Sequence, residues 1–109
     1  MVEETINRFD IYLVKLNPTV GSEIQKTRPC IIISPKEINV LNTVIVAPMT
    51  SKGFDFVFRP KINFDGKKGL ILLDQMRTVD KTRFVKKLGT VDIEKSKEIS
   101  SMLVEIFKY

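Results

Sequence analysis

The chain has 109 residues, with 18 Lys plus Arg against 13 Asp plus Glu and a net charge of +5. It holds one cysteine, no tryptophan and no histidine. Those counts exclude an intramolecular disulfide, a Cys/His zinc site, a Ser-His-Asp or Cys-His relay and a paired-histidine ribonuclease mechanism. Any catalysis must draw on carboxylates, Arg, Lys, Thr, Ser or Tyr, and neither a metal nor a cofactor is expected. The length predicts a single domain over 1–109. A hydrophobic fraction of 43% suits a folded globule. A chain of this size buries roughly 65% of its unfolded surface, enough for one thin core. No apolar run exceeds four residues, against about 20 for a membrane span. The N-terminal stretch is acidic and lacks an apolar segment, so it does not read as a signal peptide. The expectation is a soluble, cytoplasmic protein. The positive charge leans toward anionic partners, although this magnitude is ordinary for a small soluble domain.

Residues 1–7 read as a short N-terminal arm. Phe9 to Leu16 is strand-like, with Phe9, Ile11 and Leu13 alternating against Asp10, Tyr12 and Val14. Asn17-Pro18-Thr19 breaks it, and a polar loop runs to Thr27. Arg28-Pro29 leads into Cys30 to Ile33, a β-branched run that reads as a buried strand. Its thiol is expected to be inert core. Lys36 to Leu41 reads as a single helical turn, and Thr43 to Ala47 as a strand stopped by Pro48. A second polar loop, Met49 to Gly53, follows. Phe54, Phe56 and Phe58 alternate with polar and smaller residues and predict a strand with one aromatic face in the core. Asp65-Gly66 signals a hairpin, and Leu70 to Leu73 a short apolar strand. Met76 to Val79 and Lys87 to Val91 are lesser strand candidates.

The period then changes. Ile99, Met102, Leu103, Ile106 and Phe107 fall on one face of a helix over 92–107, with Asp92 as N-cap and Glu94 in the first turn. Many short strands followed by one amphipathic helix predict a mainly β (α+β) fold. It is a small SH3-like barrel or strongly curved antiparallel sheet with a C-terminal α-helix packed on it.

The polar loops hold the candidate chemistry. Arg28 precedes a proline and is therefore held extended at the start of a buried strand, which suits a planar phosphate clamp. Thr50 and Ser51 end another apolar strand, where hydroxyls can donate to a phosphate oxygen. Asp74-Gln75 ends a third, with Arg77 and Arg83 beyond. Each has a plainer reading. Glu23 and Arg28 can form a surface ion pair worth about 0–1 kcal/mol, and Thr50 and Ser51 can cap a turn. Gly66-Lys67-Lys68-Gly69 lacks phosphate-loop spacing and reads as a hairpin turn.

Taken together, the motifs resemble those of the MazF/PemK toxins. The matching strings are Gly21-Ser22-Glu23 with Arg28-Pro29, Ala47-Pro48-Met49-Thr50, Leu73 through Arg83, and Gly89-Thr90-Val91 before the last helix. Asp10-Ile11-Tyr12 and Leu16-Asn17-Pro18 fit the first strand, so the likeness covers roughly 8–107. It implies the toxin of a type II toxin–antitoxin module and a sequence-specific, metal-independent endoribonuclease acting on single-stranded RNA, typically mRNA. It further implies a homodimer with an RNA groove at the subunit interface, into which a cognate antitoxin inserts an extended tail. It places the functional arginine on Arg28, the functional threonine on Thr50, the acidic position on Glu23 and a polar site residue on Gln75.

Metal-free cleavage uses the substrate 2′-OH as nucleophile and leaves a 2′,3′-cyclic phosphate and a 5′-OH. Arg28 and Thr50 would stabilise the phosphorane charge, and Glu23 would serve as base. Ser22, Lys26, Ser51, Lys52, Gln75 and Arg77 are expected to contact substrate, with Lys15 a further backbone candidate. Base stacking falls to Tyr12, Phe54 or an arginine plane, since the two loops carry no aromatics. Two other classes compete. A CcdB-like gyrase poison acts by resemblance through a C-terminal Trp-Gly-Ile tail, whereas this chain ends Phe107-Lys108-Tyr109. A noncatalytic SH3-like RNA-binding module is the other.

Overall fold

The computed structural model describes residues 5–109; most of the expected arm over 1–7 lies outside the described residues. Seven strands form one curled antiparallel sheet: β1 (Asp10–Lys15), β2 (Thr27–Ile32), β3 (Thr43–Thr50), β4 (Lys61–Phe64), β5 (Lys67–Ile71), β6 (Arg77–Asp80) and β7 (Phe84–Thr90). Their order is β4-β5-β3-β2-β1-β7, with β6 also paired to β3. A short helix α1 (Lys36–Asn39) joins β2 to β3, and helix α2 (Ile93–Phe107) closes the chain. This is the small, strongly curved sheet with a C-terminal helix that the sequence predicts.

The curl places core on both faces of the central strands. One cluster holds Ile11, Ile31, Ala47, Ile71, Leu73 and Ile99, with Met102, Leu103 and Ile106 of α2 packed against it. The opposite cluster holds Tyr12, Val14, Leu16, Cys30, Ile32 and Val46. Burial on both faces explains why β1 and β2 carry near-continuous apolar runs. Each large aliphatic side chain so buried contributes about 1.5–3 kcal/mol. Asp92 caps α2 by accepting from Lys95 N at 2.8 Å. Cys30 is fully buried, and that burial pushes its thiol up to about 12, which removes the reactive thiolate at neutral pH.

Three expectations are corrected. Strand β3 does not stop at Pro48. It runs to Thr50 because it changes partner there: Val46 to Pro48 pair with β2, and Met49 and Thr50 pair with β5. Pro48 lacks an N–H, but its carbonyl accepts from Leu72 N at 2.8 Å. The Phe54–Phe58 segment is not a core strand but a loop, with Phe54 67% and Phe56 49% exposed. Phe107 is not core either; it is 70% exposed at the last turn of α2, beyond the sheet that covers Ile99.

The hairpin signal is accurate. Asp65 and Gly66 connect β4 to β5 with φ of 53° and 74°, the paired positive values of a tight two-residue turn. Next to it, Gly69 meets a different constraint. A Cβ there would sit 2.9 Å from the Thr50 carbonyl oxygen, so only glycine lets β5 approach β3 this closely. No helix among the described residues is long and apolar enough to cross a membrane.

Candidate active site

The β3 terminus, the start of β2 and the β4–β5 hairpin surround a groove of about 640 Å³, within the ordinary range of ligand clefts. Arg28, Thr50 and Ser51 line it together with Lys67 and Lys68. Arg28 lies opposite Val14 of β1 and is half-buried. Its Nε donates to the Gln25 carbonyl at 3.0 Å, which fixes the guanidinium plane through one nitrogen. Thr50 is the last residue of β3, opposite Leu70. Its Oγ1 accepts from Lys52 N at 3.1 Å, so it does cap a turn. That bond uses an acceptor lone pair and leaves the hydroxyl hydrogen to donate.

Glu23 stands elsewhere. It lines a separate depression with Ser22, Gln75 and Arg77, and its Oε1 accepts from Val20 N at 2.6 Å inside its own loop. The structure thus brings Arg28, Thr50 and Ser51 into one groove and sets Glu23, Ser22, Gln75 and Arg77 in a separate depression. Lys52 lines a third cavity, which shares Ser51 and Lys68 with the groove. Lys26 is exposed, with its backbone bound to the Asn17 side chain at 3.1 Å.

Three polar residues hold the 17–26 loop. Gln75 accepts from Ile24 N at 2.6 Å and donates to the Ser22 carbonyl at 3.4 Å. Arg77 donates to the Leu16 carbonyl at 3.0 Å, and Arg83 to those of Lys15 and Asn17 at 3.2 and 2.6 Å. These bonds span 51 to 68 residues of sequence, so no local pattern announces them.

A second cluster has no motif in the sequence to announce it. Arg59 forms a two-pronged pair with Asp74 at 2.9 and 2.8 Å, and its guanidinium lies 4.8 Å from the Phe54 ring centroid. The Arg59 hydrogen bond holds the Asp74 carboxyl below its usual range, with burial opposing it. A lowered folded value gives stability that is fully present above the unfolded value of about 3.9 and is lost as pH falls through the folded one. Asp74→Asn should therefore cost about 1 kcal/mol at neutral pH and nothing in strong acid. Thermal melts across the acid range check this; a deficit that persists at the acid end would contradict it.

A curled sheet carries an arginine, a threonine and two lysines around one open groove, a set of donors and charges whose chemistry suits an anion. The sequence profile of the PemK-like, MazF-like toxins of type II toxin–antitoxin systems matches residues 7–107. The chain is 35% identical to the endoribonuclease MazF of Staphylococcus saprophyticus, over 90% of this chain and 88% of that protein. It therefore belongs to the PemK/MazF toxin family. Among solved structures, MazF of Deinococcus radiodurans superposes with a TM-score of 0.86 at 21% identity, covering 98% of this chain and 100% of that one. A mycobacterial endoribonuclease in complex with its cognate antitoxin superposes at 0.76 and 18% identity, covering 92% of each chain. At those identities the two structures speak to the fold.

Proposed function

We propose that the chain is a sequence-specific endoribonuclease toxin that cuts single-stranded RNA, mRNA included, without a metal, through attack of the substrate's own 2′-OH. It works in the cytoplasm as a homodimer, and a cognate antitoxin restrains it by laying an extended tail in the RNA groove. The observation that supports this most is the meeting of Arg28 and Thr50 in one groove whose hairpin wall carries Lys67 and Lys68.

In this reading the scissile phosphate sits between Arg28 and Thr50. The remaining guanidinium N–H groups and the Thr50 hydroxyl meet the charge that builds on the phosphorane, where preorganised donors contribute most. Lys67 and Lys68 hold flanking phosphates, and Ser51, Lys52 and Lys26 contact the strand on either side. Gln75 and Arg77 act through the loop they hold in place, and Ser22, within that loop, contacts the strand. Glu23 is the carboxylate that takes the 2′-OH proton, which requires the bonds from Gln75 and Arg77 that hold its loop to open when RNA binds. The direct test is a substrate with a single 2′-deoxynucleotide on the 5′ side of a mapped cut. Cleavage at that bond should vanish while neighbouring sites are cut as before; continued cleavage there would refute the intramolecular attack.

A further inference from the structure

Resting on the ribonuclease reading, we infer that Phe54 and Phe56 form a base-stacking platform that takes unpaired nucleotides of the RNA beside the cleaved phosphate. Of the stacking groups the sequence offers, Tyr12 is withdrawn: it is 5% exposed and packs on Phe84 at 4.9 Å between ring centroids. Phe54 and Phe56 are instead presented to solvent at 67% and 49%. An exposed aromatic in a loop would ordinarily be free to turn, but these two are held. Arg59 lies 4.8 Å from the Phe54 centroid and 5.8 Å from that of Phe56, and Asp74 fixes the guanidinium with two hydrogen bonds. Phe58 braces Phe56 edge-on at 6.4 Å. With the guanidinium against it, the Phe54 ring leaves its other face to a ligand.

The platform adjoins the reactive groove. The Cβ position at Gly53 lies 3.9 Å from both Arg59 Nη1 and Thr50 Cγ2, so the clamp and the proposed catalytic threonine flank one glycine. The surroundings select a polyanion with flat bases. From Lys52 to Lys68 there are five basic residues and two acidic ones; Asp74 engages Arg59 and Asp55 faces Lys61 at 3.6 Å, which leaves Lys52, Lys67 and Lys68 to meet an anion. A cationic strip with fixed, exposed rings is the arrangement that binds single strands by stacking, largely irrespective of sequence.

The test uses a short single-stranded 2′-O-methyl RNA of mixed sequence, which cannot be cut because its nucleophile is blocked, with 2-aminopurine at its purine positions. Phe54→Ala and Phe54→Leu should each weaken binding by about five- to a hundredfold, the range of one lost stack, and relieve the quenching of 2-aminopurine. Phe54→Trp should restore both. The slope of affinity against salt should not change, since stacking releases no counterions. Wild-type affinity and quenching in Phe54→Leu would overturn the platform while leaving the ribonuclease reading intact. Loss of self-association by light scattering, with RNA affinity kept, would overturn it in favour of a subunit interface. A wild-type chain that neither binds this RNA nor cuts its 2′-OH counterpart would overturn both.

Discussion

Arg28→Ala should lower cleavage of single-stranded RNA by about a hundred- to a thousandfold, or beyond detection, with the fold retained. The size follows from position. Arg28 is the fixed cation on the β2 side of the groove, anchored by the rigid geometry before Pro29 and by one bond to Gln25. Its removal takes two donors from the phosphorane without opening either core cluster, so the melting temperature should move little. Lysine at the same position keeps charge but loses the planar fork, and should recover only part of the rate. Glu23→Gln is the informative companion. A general base lost from the loop flattens the acid limb of the pH–rate profile, whereas Arg28→Ala lowers the whole profile. Full activity in Arg28→Ala would remove the groove from the mechanism.

Gly69→Ala should damage both stability and activity. The added methyl would lie 2.9 Å from the Thr50 carbonyl oxygen and 3.5 Å from its carbon. Both are backbone atoms, so no side chain can turn aside. Overpacking of this kind costs about 1–3 kcal/mol, which lowers the melting temperature of a domain this size by roughly 5–15 °C. The strain falls on Thr50 itself and on the hairpin that brings Lys67 and Lys68 to the groove. Cleavage measured well below the lowered melting temperature should therefore also fall. Calorimetry paired with a cleavage assay checks this; wild-type stability and rate would show that β5 has room to withdraw.

The legible part of this fold was the part written locally. The Asp65-Gly66 turn, the helix after Asp92 and the apolar runs of β1 and β2 all follow from neighbours in sequence. Phe54 to Phe58 misled because its alternation imitates a strand, while the force that places it comes from Arg59 and Asp74, fifteen residues apart. Pro48 misled because a proline stops a strand only where its N–H is needed, and here β3 is changing partners. Arg28 and Thr50 stood out by their motifs. Lys67 and Lys68 did not, because a hairpin's lysines look like any others until the glycine behind them is seen to press the hairpin against Thr50. Gln75 and Arg77 were legible as polar residues near the site, but their bonds to the 17–26 loop exist only in three dimensions.

Metal-free transesterification of RNA is read from the ends it leaves. The purified chain should be incubated with a long single-stranded RNA in excess EDTA and the fragment ends identified by mass spectrometry. Discrete cuts at one recurring sequence are expected, each leaving a 2′,3′-cyclic phosphate and a 5′-OH. Intact RNA under these conditions, or fragments bearing a 5′-phosphate, would contradict it.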